Sequence, residues 1–169
     1  GFCTSLDRTL SYRPNQIDIF PLAVLPGTKL HAQKTELCLK ADDQPPYLLR
    51  ENLDFTLSEM KDCALLAAAV DLLYNLGRSV GFLLPCCEGL KISPLRIIED
   101  FRDWFIRTQG GEDPLLNHYE LHSEQILQLQ QDFMTQRFSS VGQQKLLPIV
   151  KDILDYHYLY AETLLGEET

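Results

Sequence analysis

Apolar positions recur at helical spacing over most of the chain and at strand-like density over one short run near its start. Phe2, Leu6 and Leu10 stand four apart, which places them on one face of a short amphipathic helix that Arg13-Pro14-Asn15 stops. Ile17 to Leu25 is then almost uninterruptedly apolar and contains β-branched residues, so it predicts a strand buried on both faces and bent or ended at Pro21. Helix, tight turn and buried strand form the repeating half-unit of a parallel α/β architecture, and one such unit cannot cover itself. Lys29 to Leu39 is weakly amphipathic and expected as helix. Asp42-Asp43-Gln44-Pro45-Pro46 breaks it, and Tyr47-Leu48-Leu49 is a short extended candidate.

From Thr56 the pattern becomes helical. Thr56 and Glu59 have capping-box spacing, and the helix they open shows Leu65, Ala69, Leu72 and Leu76 on one face before a stop at Gly77. Ser79 to Leu90 reads as a shorter helix disturbed by Pro85. Ser93-Pro94 is an N-cap followed by proline at the first helical position, opening a helix with Ile97, Ile98, Phe101, Trp104 and Phe105 on one side and an end at Gly110-Gly111. Asp113-Pro114 repeats the start signal and predicts one stripe through Leu115, Tyr119, His122, Ile126, Leu129 and Phe133 to Phe138, with Gln125 to Gln131 as a solvated face. A last helix groups Leu146, Val150, Ile153, His157, Tyr160 and Leu164. The expected fold class is therefore mainly α, a multi-helix orthogonal bundle with a short α/β remnant of one or two strands at its N-terminus.

Charge narrows the partners. The 169 residues carry 24 Asp and Glu against 15 Lys and Arg, a formal charge of -9, which argues against a surface that neutralises phosphates and so against nucleic acid. No apolar stretch is long enough for a membrane span, and the opening residues lack a signal peptide, so the expected location is cytoplasmic. Cys3, Cys38, Cys63, Cys86 and Cys87 show no C-x2-C pair and read as reduced thiols, with the vicinal Cys86-Cys87 as small core residues in an apolar run.

Candidate chemistry is sparse. His118 and His122, four apart with Glu120 between them, could reach one metal ion from a continuous helix, but no third ligand stands at helical spacing and no metal site is expected. On the apolar stripe His122 reads as a hydrogen-bonded core histidine. His157, two residues after Asp155, fits a general base oriented by a carboxylate or an aromatic face packed on a neighbour. No G-x-S-x-G elbow and no glycine-rich phosphate loop occurs, and no catalytic residue is assigned. Pro26-Gly27-Thr28 is the one loop whose position suggests binding, because ligands gather at the C-terminal ends of parallel strands.

Taken in order, Arg13-Pro14-x-Gln16-Ile17, Phe20-Pro21-Leu22, Val24-Leu25-Pro26-Gly27-Thr28-x-Leu30, Pro45-Pro46-Tyr47 and Asp71-Leu72-Leu73-Tyr74-Asn75-x-Gly77-Arg78 resemble the C-terminal third of cobalamin-binding radical S-adenosylmethionine proteins, the Fe-S oxidoreductases related to the anaerobic magnesium-protoporphyrin monomethyl ester cyclase. The resemblance is best from Arg13 to Arg78. It implies that residues 1–55 are the last helix-strand unit of a truncated α/β barrel with its linker, and that 56–169 are a helical accessory domain. The family's C-x3-C-x2-C signature is absent, so no cofactor is expected in this chain. The [4Fe-4S] cluster, S-adenosylmethionine and cobalamin would belong to the parent enzyme, where Pro26, Gly27 and Thr28 would lie near the bound S-adenosylmethionine. The implied partners are the remainder of the parent chain and a second copy joined through an exposed Ile17–Leu25 strand. A stand-alone helical interaction module is the rival reading.

Overall fold

The computed structural model describes residues 1–166, so the last three positions of the expected 56–169 domain lie outside the described residues. The chain forms two compact units, one of residues 1–17 with 68–166 and one of Asp18–Ala67. Among the described residues it is mainly helical, with one small antiparallel sheet, and no helix is long and apolar enough to cross a membrane.

In the smaller unit the expected doubly buried strand does not form. Phe20, Leu22 and Leu25 are exposed, Phe20 by 83%, and Pro21 cannot donate to a ladder. Ala23 makes an isolated antiparallel bridge to Leu48, with Val24 N–H donating to the Tyr47 carbonyl at 2.8 Å and Leu49 N–H to the Leu22 carbonyl at 2.8 Å. Strands β1 (Lys40–Ala41) and β2 (Leu49–Glu51) pair antiparallel. Asp42, just after β1, takes a bidentate contact from Arg50 on β2, with Nη2 donating to Oδ2 at 2.6 Å and Nε to Oδ1 at 2.9 Å.

Helix α1 (Phe2–Ser11) buries Leu6 and Leu10 as its spacing requires. The expected 29–39 helix is only one turn, α2 (Lys29–Ala32), followed by turns. Helix α3 (Leu57–Val70) starts at the capping box, where Thr56 N–H donates to Glu59 Oε2 at 2.8 Å and Glu59 N–H to Thr56 Oγ1 at 3.3 Å. It runs on as a π-helical turn over Asp71–Leu76. Leu76 falls outside the expected buried face.

A 3-10 turn at Ser79–Gly81 leads into α4 (Leu83–Leu90), where Pro85 sits in the first turn and breaks nothing. Helix α5 (Pro94–Thr108) begins at Ser93, whose hydroxyl accepts from Arg96 N–H at 3.2 Å, and α1 packs on it. The single helix expected from Asp113 to Phe138 is three pieces: α6 (Glu112–Leu116), a 3-10 turn at His118–Glu120, and α7 (Ser123–Ser140). After a 3-10 turn at Gln144–Leu146, α8 (Leu147–Gly166) packs along α7. The core of this unit centres on Phe133, which meets Phe101 edge-on at 5.2 Å between ring centroids and Trp104 at 5.6 Å.

Candidate functional site

A connected polar cluster lies in the helical unit, where the π turn meets the 3-10 turn before α7. His118 is 1% exposed. Its Nδ1 lies 2.6 Å from the Leu115 carbonyl and its Nε2 2.8 Å from Asp71 Oδ2. The other carboxylate oxygen of Asp71 accepts from Asn75 Nδ2 at 2.8 Å, and Asn75 in turn holds Ile17 at both ends, accepting from its N–H and donating to its carbonyl at 3.0 Å each. A carbonyl oxygen can only accept, so Nδ1 carries a proton, and a single proton is held between Nε2 and Asp71. Both ring nitrogens are thereby occupied. No nitrogen of His118 is free to take a proton from a substrate, and the arrangement works as a clamp joining the end of the α1 segment, the π turn and α6.

The π turn itself creates the second cluster. Gly77 N–H donates back to the Leu72 carbonyl at 3.0 Å, five residues away, which leaves the Leu73 carbonyl without its ordinary helical donor. The buried Ser79 hydroxyl donates to that carbonyl, and buried Gln130 of α7 donates Nε2 to the Gly77 carbonyl at 2.7 Å. Gln130 therefore lies in the apolar face of α7 instead of the solvated face expected for Gln125 to Gln131. Among the described residues, no buried side-chain polar atom lacks a partner.

The metal geometry considered for His118 and His122 dissolves with the helix that would have carried it. His118 sits on the 3-10 turn, while His122 is exposed at the N-cap of α7, its N–H donating to Gln125 Oε1 at 2.9 Å. The buried histidine is thus His118 and not His122, because the chain breaks at Leu121. No group of three or more His, Cys, Asp or Glu side chains suited to a metal ion occurs among the described residues. His157 packs its ring against Phe82 and against Gly81, where an added Cβ would come within 2.2 Å of the ring. Asp155 is engaged by Gln131 Nε2 at 2.5 Å, so the packing account of His157 prevails over the general-base one.

Burial pushes the Cys86 and Cys87 thiols up to about 12, which makes them inert core groups. Pro26, Gly27 and Thr28 form an exposed turn. Gly27 has φ +82° with nothing within 4 Å of where a Cβ would stand, and Thr28 Oγ1 donates to the Leu25 carbonyl at 2.7 Å and accepts from His31 N–H at 3.2 Å as the cap of α2. These three residues belong to the Asp18–Ala67 unit, whereas the clusters above belong to the helical unit. Sequence reasoning missed Asp71, Asn75 and Gln130. An Asp and an Asn four apart on an otherwise apolar helix were the available signal for the first two.

A groove of about 140 Å³ between α7 and α8 is lined by Gln128, Gln131, Asp132, Thr135 and Lys151 over Met134, Leu147, Val150 and Leu154. It is small for an organic ligand. Comparison of the chain with protein-family models, curated proteins and solved structures finds no match.

Proposed function

We propose that this chain is a non-catalytic C-terminal part of a cobalamin-dependent radical S-adenosylmethionine Fe-S enzyme, helping to close the barrel and to shape its substrate or partner surface. The observation that carries this reading is the state of residues 17–25. The sequence marks this run as a strand that requires cover on both faces, and Phe20, Leu22 and Leu25 are exposed there. An apolar run bridged only at Ala23, with Val24 buried but these three side chains exposed, fits a segment whose further neighbours are supplied by the rest of a parent chain. The turn that follows it, Pro26-Gly27-Thr28, presents open backbone at Gly27, in keeping with close approach of a bound cofactor.

The residues present do not fit the parent's cluster. Cys3, Cys38, Cys63, Cys86 and Cys87 lack C-x3-C-x2-C spacing, and two of them are buried inert thiols. Cluster, S-adenosylmethionine and cobalamin chemistry accordingly belongs to the remainder of the parent, and no step is assigned to this chain.

A stand-alone helical interaction module is the second reading, favoured by the exposed aromatic residues Tyr156 and Tyr160 on α8. The two separate on the size of the native product. An antibody raised against this chain, used on source-cell extract together with sequencing of the upstream reading frame, should reveal a product of several hundred residues with C-x3-C-x2-C upstream. A native product no larger than this chain overturns the proposal. In the full-length enzyme, Gly27→Phe should weaken S-adenosylmethionine binding; unchanged binding removes the turn from the cofactor's surroundings.

A further inference from the structure

Residues 21–25 carry a backbone edge that the fold leaves open. Val24 N–H donates to the Tyr47 carbonyl and Leu49 N–H to the Leu22 carbonyl, each at 2.8 Å, so Leu22 and Val24 point their peptide groups at the 47–49 segment. Peptide groups alternate in direction along extended backbone, so those of Pro21, Ala23 and Leu25 point to the opposite edge. There the Pro21 carbonyl, the Ala23 N–H and carbonyl and the Leu25 N–H have no hydrogen-bond partner among the described residues. Two groups are missing from this edge. Pro21 has no N–H, and the Leu25 carbonyl already accepts from the Thr28 N–H at 3.2 Å and the Thr28 hydroxyl at 2.7 Å.

We propose that this edge takes one parallel strand, supplied by the parent chain from outside residues 1–169. The pattern of open and missing groups selects the direction. In a parallel ladder one partner residue donates to the Pro21 carbonyl and accepts from Ala23 N–H, and the residue two further on donates to the Ala23 carbonyl and accepts from Leu25 N–H. All four open groups are then used, and neither missing group is called for. An antiparallel strand would exchange two bonds with each of Pro21, Ala23 and Leu25. One of its carbonyls would then face the proline nitrogen, and one of its N–H groups would face a carbonyl whose two lone pairs are taken. A second copy fails on the same ground, because a two-fold axis lays an edge against itself antiparallel, and each copy carries a charge of -9. The exposed Phe20 and Leu22 side chains beside the edge give the incoming strand apolar surface to cover. The inference rests on the chain's origin in a longer enzyme and adds the direction and register of the contact.

Residue-resolved hydrogen exchange of the 169-residue chain and of the full-length enzyme tests it. The Ala23 and Leu25 amides should exchange at nearly the rate of an unfolded peptide in the chain alone, and at least about a hundredfold more slowly in the enzyme. Equal rates in the two, with a longer native product found, overturn the strand contact and leave the chain's origin standing. A native product no larger than this chain overturns both. Ala23→Pro removes the donor at the centre of the edge, which the 47–49 segment does not use. It should leave the urea midpoint of the chain alone unchanged and speed Leu25 exchange in the enzyme at least about tenfold. Unchanged Leu25 exchange in that variant overturns the proposal. So does a close contact between α-protons of this edge and its partner strand in nuclear magnetic resonance spectra, which marks antiparallel pairing.

Discussion

Cys86 and Cys87 adjoin in sequence, yet their reactivity is decided by burial. With both thiols pushed up to about 12, almost no thiolate exists near neutrality. Iodoacetamide at mildly alkaline pH should therefore alkylate the exposed Cys3 and Cys38 in the native chain and leave Cys86 and Cys87 intact, while unfolding should release all five; mass spectrometry of the two samples checks this. Asp42 gives the opposite case. The Arg50 guanidinium, by hydrogen bonding first and by charge second, holds its carboxyl below the ordinary value. A group depressed on folding stabilises the folded chain above its unfolded value and loses that contribution as pH falls through the folded one. Asp42→Asn should thus lower the urea midpoint at neutral pH, and the difference from wild type should vanish in acid, once the native carboxyl is itself protonated. The effect is small because the pair is exposed.

Local signals decided the elements that were legible in the sequence. The Thr56 and Glu59 box and the Ser93-Pro94 start are hydrogen-bonded as their spacing demands, and the Phe101, Trp104 and Phe105 face is buried as read. What failed depended on distant partners. Residues 115–138 look periodic, but the helix ends at Leu116 and His118, on the 3-10 turn that follows, points inward to Asp71, forty-seven positions earlier. Gln130 looks solvated until the π turn supplies carbonyls for it. Residues 17–25 have a strand's composition and only one bridge's worth of pairing. The exposed turn at Pro26-Gly27-Thr28 was legible as a turn from its residue types, whereas the Asp71, Asn75 and His118 cluster was not legible as a site. Gly77 shows how tight the π junction is. A Cβ there would stand 2.3 Å from both the Leu73 carbonyl oxygen and Gln130 Nε2. Gly77→Ala should cost about 2 kcal/mol in urea denaturation, since the backbone oxygen cannot swing aside.

For the molecule as a whole, charge and apolar exposure oppose each other. Each copy carries a formal charge of -9, which repels a second copy at long range. Raising ionic strength from about 0.05 M to about 0.5 M shortens the screening length severalfold, so self-association of the chain should be weakest at low salt and tighten as salt rises, read by sedimentation at the two concentrations. The two compact units also divide the chain's content unequally. Residues 18–67 hold the short sheet and the partly exposed apolar run, while the aromatic core and the His118 clamp belong to the helical unit.

The π turn at Asp71–Leu76 has an evolutionary reading. Its extra residue shifts the Gly77 N–H to the Leu72 carbonyl, so that the Leu73 carbonyl stays open for Ser79. A homologue shorter by one residue here would restore uninterrupted α-helical winding and rotate everything beyond the deletion by about 100°. It would close the Leu73 carbonyl with an ordinary helical donor and leave the Ser79 hydroxyl without that acceptor. Length variation in this stretch should therefore be inherited together with changes at positions 79 and 130.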